Sequence, residues 1–306
     1  MDTVLNGKKI RIDSDTHFGK EYTTGVPLNR RGEREDMTLK AFERGLTGNY
    51  DLYIHCGDLF DKPVVDLGVL MTVYKVIAEV AKKSNAYFYF IKGNHDQSRD
   101  AERVDCFRIL SSLLSNVKNV LFVQDEVLHL PSISSTLCPW VYGKTPEELL
   151  SGQEGGNLFG HFEEPVEAFI SNWASTKGSV FSGHIHKKHV ANGVEFVGAT
   201  LPTNHGDADD DSLYVTVDLK TLLADPEVYK DKCVRVNLEK GDVLPAGIDC
   251  LALTSRYITE DTEVVDLSEV KMDNFNLEVL FKDCVKDSGM GDMLWERYNS
   301  LRVLEG

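Results

Sequence analysis

The stretch His55-Cys56-Gly57-Asp58-Leu59-Phe60-Asp61 decides the fold. The apolar run Leu52-Tyr53-Ile54 leads into it as a buried strand. Gly57 then lets the backbone turn so that Asp58 projects from the strand's C-terminal end, the edge at which open α/β sheets carry their sites. Three other segments break from an apolar strand into polar residues in the same way: Ile12-Asp13-Ser14-Asp15-Thr16-His17, Phe90-Ile91-Lys92-Gly93-Asn94-His95-Asp96 and Val180-Phe181-Ser182-Gly183-His184-Ile185-His186.

Carboxylates, an Asn amide oxygen and several imidazoles form a mixed oxygen and nitrogen donor set, which suits manganese, iron or zinc better than calcium. Alternate residues of an extended segment share a side, so Asp15 with His17, and His184 with His186, can each face one cavity. A single ion could not use them all. A carboxylate can bridge two ions about 3.5–4 Å apart, the usual device for displacement at phosphorus, and Asp58 is the candidate bridge.

In that order, Asp-x-His, Gly-Asp-x-x-Asp, Gly-Asn-His-Asp and Gly-His-x-His resemble the calcineurin-like metallophosphoesterase superfamily. Within it, Gly57-Asp58-Leu59-Phe60-Asp61 and Gly93-Asn94-His95-Asp96-Gln97-Ser98-Arg99 are most similar to SbcD-type (meiotic-recombination-eleven) DNA repair nuclease subunits, bacteriophage versions included. The resemblance covers roughly the first two thirds of the chain. It implies a four-layer α/β/β/α sandwich of two mixed sheets with flanking helices. It implies one ion on Asp15, His17, Asp58 and His186 and another on Asp58, Asn94, His161 and His184. His161 stands alone after a short apolar run, and the second ion would be under-coordinated without it.

The resemblance also implies a role for His95 on phosphate or the leaving oxygen and not on a metal, and Asp96, next in sequence, is the candidate acceptor that fixes its tautomer. Two divalent ions are implied, manganese first, with magnesium, iron or zinc as alternatives. DNA is the implied substrate, an SbcC-type ATPase the implied partner, and a homodimer is compatible. Hydroxide held by the ions would attack phosphorus in line. The alternatives are a phosphatase or phosphodiesterase of small nucleotides, and a non-catalytic scaffold. Every expected ligand type is present, which counts against the scaffold.

A net charge of −16 counts against a wide DNA grip and favours a small substrate, although bound ions add positive charge where phosphate sits. Arg30 and Arg31, with Arg34, lie in or just behind the polar loop 19–32, and Arg99 and Lys187 flank the other motifs. Each is a candidate phosphate contact, and for any one of the loop arginines a solvated surface charge is an equal reading. The acidic run Asp207, Asp209, Asp210 and Asp211 reads as a solvated loop. Six scattered cysteines without a Cys-x-x-Cys pair read as reduced thiols, and the start of the chain and the lack of a long apolar window read as a cytoplasmic protein without membrane contact.

Along the chain, periodicity predicts a strand at 8–14, helices at 33–46 and from about residue 70 to 81, a strand at 86–91, a helix at 101–114 and strands at 120–123 and 127–130. Runs at 188–191, 194–197, 213–219 and 233–238 alternate like strands of one second sheet. The expected division is a catalytic domain over 1–240 and an extension over 241–306. That extension carries two helices built on Leu277, Leu280, Phe281, Leu294, Tyr298 and Leu301, a face suited to docking the ATPase partner.

Overall fold

The computed structural model describes residues 1–100, 103–208 and 213–258, and the two C-terminal helices expected beyond residue 274 lie outside them. The chain opens with a hairpin, β1 (Asp2–Leu5) and β2 (Lys8–Asp13), turned at Asn6-Gly7, both with positive φ. Helix α1 (Glu33–Leu46), strand β3 (Leu52–Cys56), helix α2 (Leu67–Lys83), strand β4 (Tyr87–Ile91), helix α3 (Cys106–Leu114) and strand β5 (Val120–Val123) follow. They complete a five-stranded sheet in the order β1-β2-β3-β4-β5, parallel from β2 onward.

Each crossover has a local cause. Asp66 caps α2 by accepting the Gly68 N–H at 2.7 Å. Asp105 caps α3 by accepting the Arg108 N–H at 2.8 Å, so that helix starts later than the 101–114 expected from periodicity. The three helices cover one face of the sheet over Phe42, Tyr53, Val73, Ile77, Phe88, Phe90 and Phe107, all essentially without solvent contact. Burial of each such side chain is worth about 1.5–3 kcal/mol.

The second sheet is built from β6 (Leu128–Leu130), β7 (Ser135–Leu137), β8 (Asn157–Gly160), β9 (Val180–Ser182), β10 (His189–Ala191) and β11 (Val194–Phe196), in the order β10-β11-β9-β8-β7-β6. Between β7 and β8 lies the short α4 (Pro146–Leu149), and between β8 and β9 lies α5 (Ala168–Thr176), whose Ile170 and Trp173 pack on the outer face. The inner faces of the two sheets meet through Ile12, Ile54 and Ile91 on one side and Leu137, Phe159 and Phe181 on the other. This is the four-layer α/β/β/α sandwich.

The later strands depart from expectation. Strand β12 (Tyr214–Asp218), helix α6 (Leu219–Ala224) and strands β13 (Cys233–Leu238) and β14 (Ala252–Tyr257) form a separate three-stranded parallel sheet, not an extension of the second one. Its apolar side meets the 19–32 loop and α1 through Val26 and Met37, and the Leu253 N–H donates to the Gly25 carbonyl at 2.9 Å. Residues 241–258 therefore belong with the preceding chain, and the compact unit runs to Ile258 instead of ending near 240. The five cysteines among the described residues are buried and unpaired, and no helix among those residues is long and apolar enough to cross a membrane.

Candidate metal centre

Five strand ends deliver the side chains. β2 leads to Asp15 and His17, β3 to Asp58, β4 to Asn94 and His95, β8 to His161, and β9 to His184 and His186. Parallel pairing within each sheet puts these C-terminal ends on one edge, and stacking of the two sheets brings the edges together. The turns are tight. Asp15, His17, Asp58 and His184 all hold φ between 50° and 78°, a conformation that costs non-glycine residues energy and is stored where geometry matters. Gly57 at φ 95° leaves room for the His161 ring, and a Cβ at Gly93 would collide with Asp58.

The donors fall into two clusters, with a third group, His17, Asp61 and His95, that shares His17 with the first. Asp15, His17 and His186 form one, with the Nε2 atoms of the two histidines 3.0 Å apart and each about 4 Å from Asp15 Oδ1, at 4.0 and 3.9 Å. Asp58, His161 and His184 form the other. Asn94 Oδ1 sits in that second cluster, 2.8 Å from His161 Nε2 and 3.1 Å from His184 Nδ1. One oxygen of Asp58 faces both clusters: Oδ2 lies 3.2 Å from His161 Nε2 and 3.8 Å from His17 Nε2. The other, Oδ1, accepts the His95 N–H at 2.9 Å, which fixes the carboxylate's rotation.

Tautomers follow from the partners, since a carbonyl or carboxylate can only accept. His161 Nδ1 is 2.8 Å from the Cys56 carbonyl and donates to it; burial opposes a second proton, but Asp58 beside Nε2 outweighs it and pushes the imidazole up to about 9, so Nε2 holds a proton that a bound cation would displace. His186 Nδ1 is 3.0 Å from Asp207 Oδ2, so it carries a proton there and turns Nε2 toward the first cluster. Burial pushes His17 down to about 3 and, with His161 nearby, His184 down to about 4, so both imidazoles are neutral, the form that ligates metal. Burial opposes charge on Asp58, yet the adjacent His161 outweighs it and holds the carboxyl below the usual range. Burial drives Asp15 up to about 6. Imidazole nitrogens and carboxylate oxygens converge at these distances in a buried site, and the mixed donor set fits two borderline divalent ions.

His95 stands apart from the ligands and is exposed. Its Nδ1 is bonded at 2.7 Å to the Asp61 backbone carbonyl, and its ring packs edge-on to His17 with centroids 4.9 Å apart. Asp96 does not serve it. The Asp96 carboxylate is turned inward and accepts the N–H groups of Phe60, Gly93 and Leu59 at 2.8, 2.9 and 3.2 Å, binding the Asp58 turn to the Asn94 turn. Its expected part in fixing the His95 tautomer therefore passes to the Asp61 carbonyl.

The arginine contacts change as well. Arg30 is buried and bonded to Glu33, Asp231, Asp249 and the Lys230 carbonyl, so it ties α1 to the third sheet and is not available to phosphate. Arg34 is 2% exposed, lies over the rings of Tyr22 and Tyr214 at 4.6 and 5.6 Å and donates to the Pro202 carbonyl. Arg31, Arg99 and Lys187 are exposed. Nearer the ligands is Lys20, whose Nζ is 3.9 Å from Asp61 Oδ1.

Two residues were given no site role by the sequence. Asp61 faces His17 Nδ1 at 3.5 Å, and its place in Gly-Asp-x-x-Asp was the available signal. Asp207 departs from the solvated acidic loop that the sequence suggests. It instead accepts from Thr203 Oγ1 at 2.7 Å as well as holding His186, while Asp209, Asp210 and Asp211 lie outside the described residues.

A search against curated proteins gives no match. Among solved structures the chain is similar to a Pseudomonas putida nuclease MPE, at 16% identity and a TM-score of 0.36 over 69% of this chain and 92% of that one. It is also similar to an archaeal phosphodiesterase, at 17% identity and a TM-score of 0.31 over 62% of this chain and 83% of that one. Residues 9–188 match the family described as calcineurin-like phosphoesterase. That span holds every residue of both donor clusters, and the chain belongs to the calcineurin-like phosphoesterases, a family of divalent-metal-dependent hydrolases.

Proposed function

We propose that the chain is a two-metal phosphodiesterase that cleaves DNA. The observation that carries the two-metal reading is Asp58 Oδ2, which faces both donor clusters, while His95 belongs to neither and lies with Asp61 on the other side of His17. Asp15, His17, Asp58 and His186 would hold one ion and Asp58, Asn94, His161 and His184 the other. Such a pair supplies a Lewis acid for the phosphoryl oxygen and an acidified water. The protein's own share is orientation. Asp96 locks the two turns, Asp207 aims His186, and the Asp61 carbonyl accepts the His95 Nδ1–H, so that the doubly protonated ring would present its Nε2–H to the leaving oxygen and keep the Nδ1 proton.

A diester is favoured over a monoester because a cavity borders each donor cluster. One of about 550 Å³ touches His17, and another of about 420 Å³ touches His161. A monoester needs room for one substituent, a diester for two. DNA is favoured over a free nucleotide by the likeness of 57–61 and 93–99 to SbcD-type subunits. The −16 charge keeps a small nucleotide diester as the second reading. Manganese as the native ion and an SbcC-type ATPase as partner are parts of the same proposal. Purified chain with manganese, offered labelled duplex, single strand, a chromogenic diester and a chromogenic monoester, tests it: strand cleavage that falls with added salt is expected. Turnover confined to the small diester favours the second reading, and preference for the monoester defeats both.

A further inference from the structure

The segment after β7 carries two aromatic residues, Trp140 and Tyr142, beside the turn that presents Asn94 and His95. The Trp140 N–H donates to the Lys92 carbonyl at 2.8 Å, immediately before Gly93. The Tyr142 N–H donates to Gln97 Oε1 at 3.1 Å. This loop is thus stitched to both ends of the turn that presents Asn94 and His95. Lys92 is itself anchored by a buried ion pair with Asp105 at 2.8 Å, so the base of the turn is rigid. The two rings lie 6.2 Å apart at 49°. Tyr142 is 54% exposed, and Trp140 is half-buried on the wall of an adjoining cavity of about 420 Å³ that His161 also borders and Tyr142 does not.

That volume lies within the ~300–1,000 Å³ typical of small-ligand pockets. Its chemistry selects what enters. The charged groups on its wall are Lys144, Glu163 and Glu167, so carboxylates outnumber the cation and phosphate is disfavoured. Carboxylates accept from ring N–H and amino groups, and an indole offers a stacking face to any base. The phosphate belongs at the neighbouring donor clusters, where bound ions supply the positive charge.

We propose that Trp140, Tyr142 and the cavity beside His161 form a nucleobase site, which receives an unpaired base of the strand whose phosphate lies at the metal centre. The inference rests on the phosphodiesterase reading and narrows it to single-stranded or end-frayed substrate. Stacking is sequence-tolerant, so the site takes a base by its ring face more than by its edge.

Rapid mixing of the manganese-loaded full chain with a short oligothymidylate, before turnover, tests it by tryptophan fluorescence. The comparison is an abasic strand of the same length. Quenching is expected with the base-bearing strand, together with binding roughly 5- to 150-fold tighter than to the abasic one. Trp140→Ala and Tyr142→Ala should reduce that preference, and Trp140→Phe should keep much of it. Tyr142 is exposed, so its variant reports on binding even if Trp140→Ala disturbs folding. Equal affinity for both strands, or a preference unchanged in Tyr142→Ala and Trp140→Ala, overturns the site. Turnover of the chromogenic diester by the same preparation separates the two levels: hydrolysis without base preference removes the nucleobase site alone, whereas failure to hydrolyse any diester removes the function and the site with it.

Discussion

The carboxylate of Asp207 lies 3.0 Å from Nδ1 of His186, and through it a loop leading to the third sheet reaches the metal centre. Thr203 and Asn204 donate to the same Asp207 oxygen, and the Tyr214 hydroxyl of β12 holds the Thr203 carbonyl at 2.8 Å. A ligand imidazole gains basicity and a fixed orientation from such a partner. Loss of a partner of this kind typically weakens metal binding about 10- to 100-fold. Asp207→Ala should therefore loosen one of two bound manganese ions by that factor and leave the other in place. A manganese titration with two unaltered sites in the variant would show that Asp207 only caps its own loop.

Asp58 is expected to be indispensable to both ions, because a single oxygen faces both clusters. Asp58→Ala should bring elemental analysis under saturating manganese from two ions per chain to one or none, while the sandwich still folds. Retention of both ions would mean that each cluster is sufficient by itself and that there is no bridge.

His95→Ala is expected to keep both ions and to lose about 10²–10⁴-fold in kcat, the usual worth of general acid catalysis. Its backbone N–H, which holds Asp58 Oδ1, survives the substitution, so the ligand geometry is preserved. Loss of an ion in this variant would place His95 among the ligands.

Asp96 is expected to matter to stability first. Asp96→Ala orphans the N–H groups of Leu59, Phe60 and Gly93, and each buried unpaired donor costs about 1–3 kcal/mol. Chemical denaturation should show a loss of roughly 3 kcal/mol or more, with Asp96→Asn milder because it keeps an acceptor oxygen. An unchanged midpoint for Asp96→Ala would show that water replaces the carboxylate.

How much of this was legible in the sequence depends on the distance over which each signal acts. Strand-end motifs are local: an apolar run, a glycine and a ligand-type side chain within a few residues announce Asp15, Asp58, Asn94 and His184, and all four are found at one edge. The partner of a side chain is not local. Asp96 and His95 are adjacent in sequence yet diverge, since the turn that aims His95 outward sends Asp96 back under the Asp58 turn. Asp207 touches His186 across 21 positions, and nothing in an acidic loop distinguishes a paired carboxylate from a solvated one. The third sheet was misassigned for a related reason. Alternation along β12 and β13 reports a half-buried face but not which sheet it joins, and β14, with polar Thr254, Ser255 and Arg256, carried no strand signal.

The same distinction governs Arg30, which its place in the loop behind the first ligand pair suggests as a phosphate contact and whose guanidinium is instead spent on the third sheet. Its side chain is 9% exposed, with Glu33 at 2.9 Å, Asp231 at 3.1 Å and Asp249 at 3.3 Å. The three carboxylates are themselves partly exposed and regain water when the arginine is removed, so the cost is that of a few charged hydrogen bonds and not of a stranded buried ion. Arg30→Ala should lower stability by about 1.5–3 kcal/mol. Arg30→Lys should recover little of it, because an ammonium cannot fork to Glu33 and Asp231 together. The salt dependence of strand cleavage should be unaltered in both variants. A shallower salt slope at unchanged stability would return Arg30 to the phosphate path.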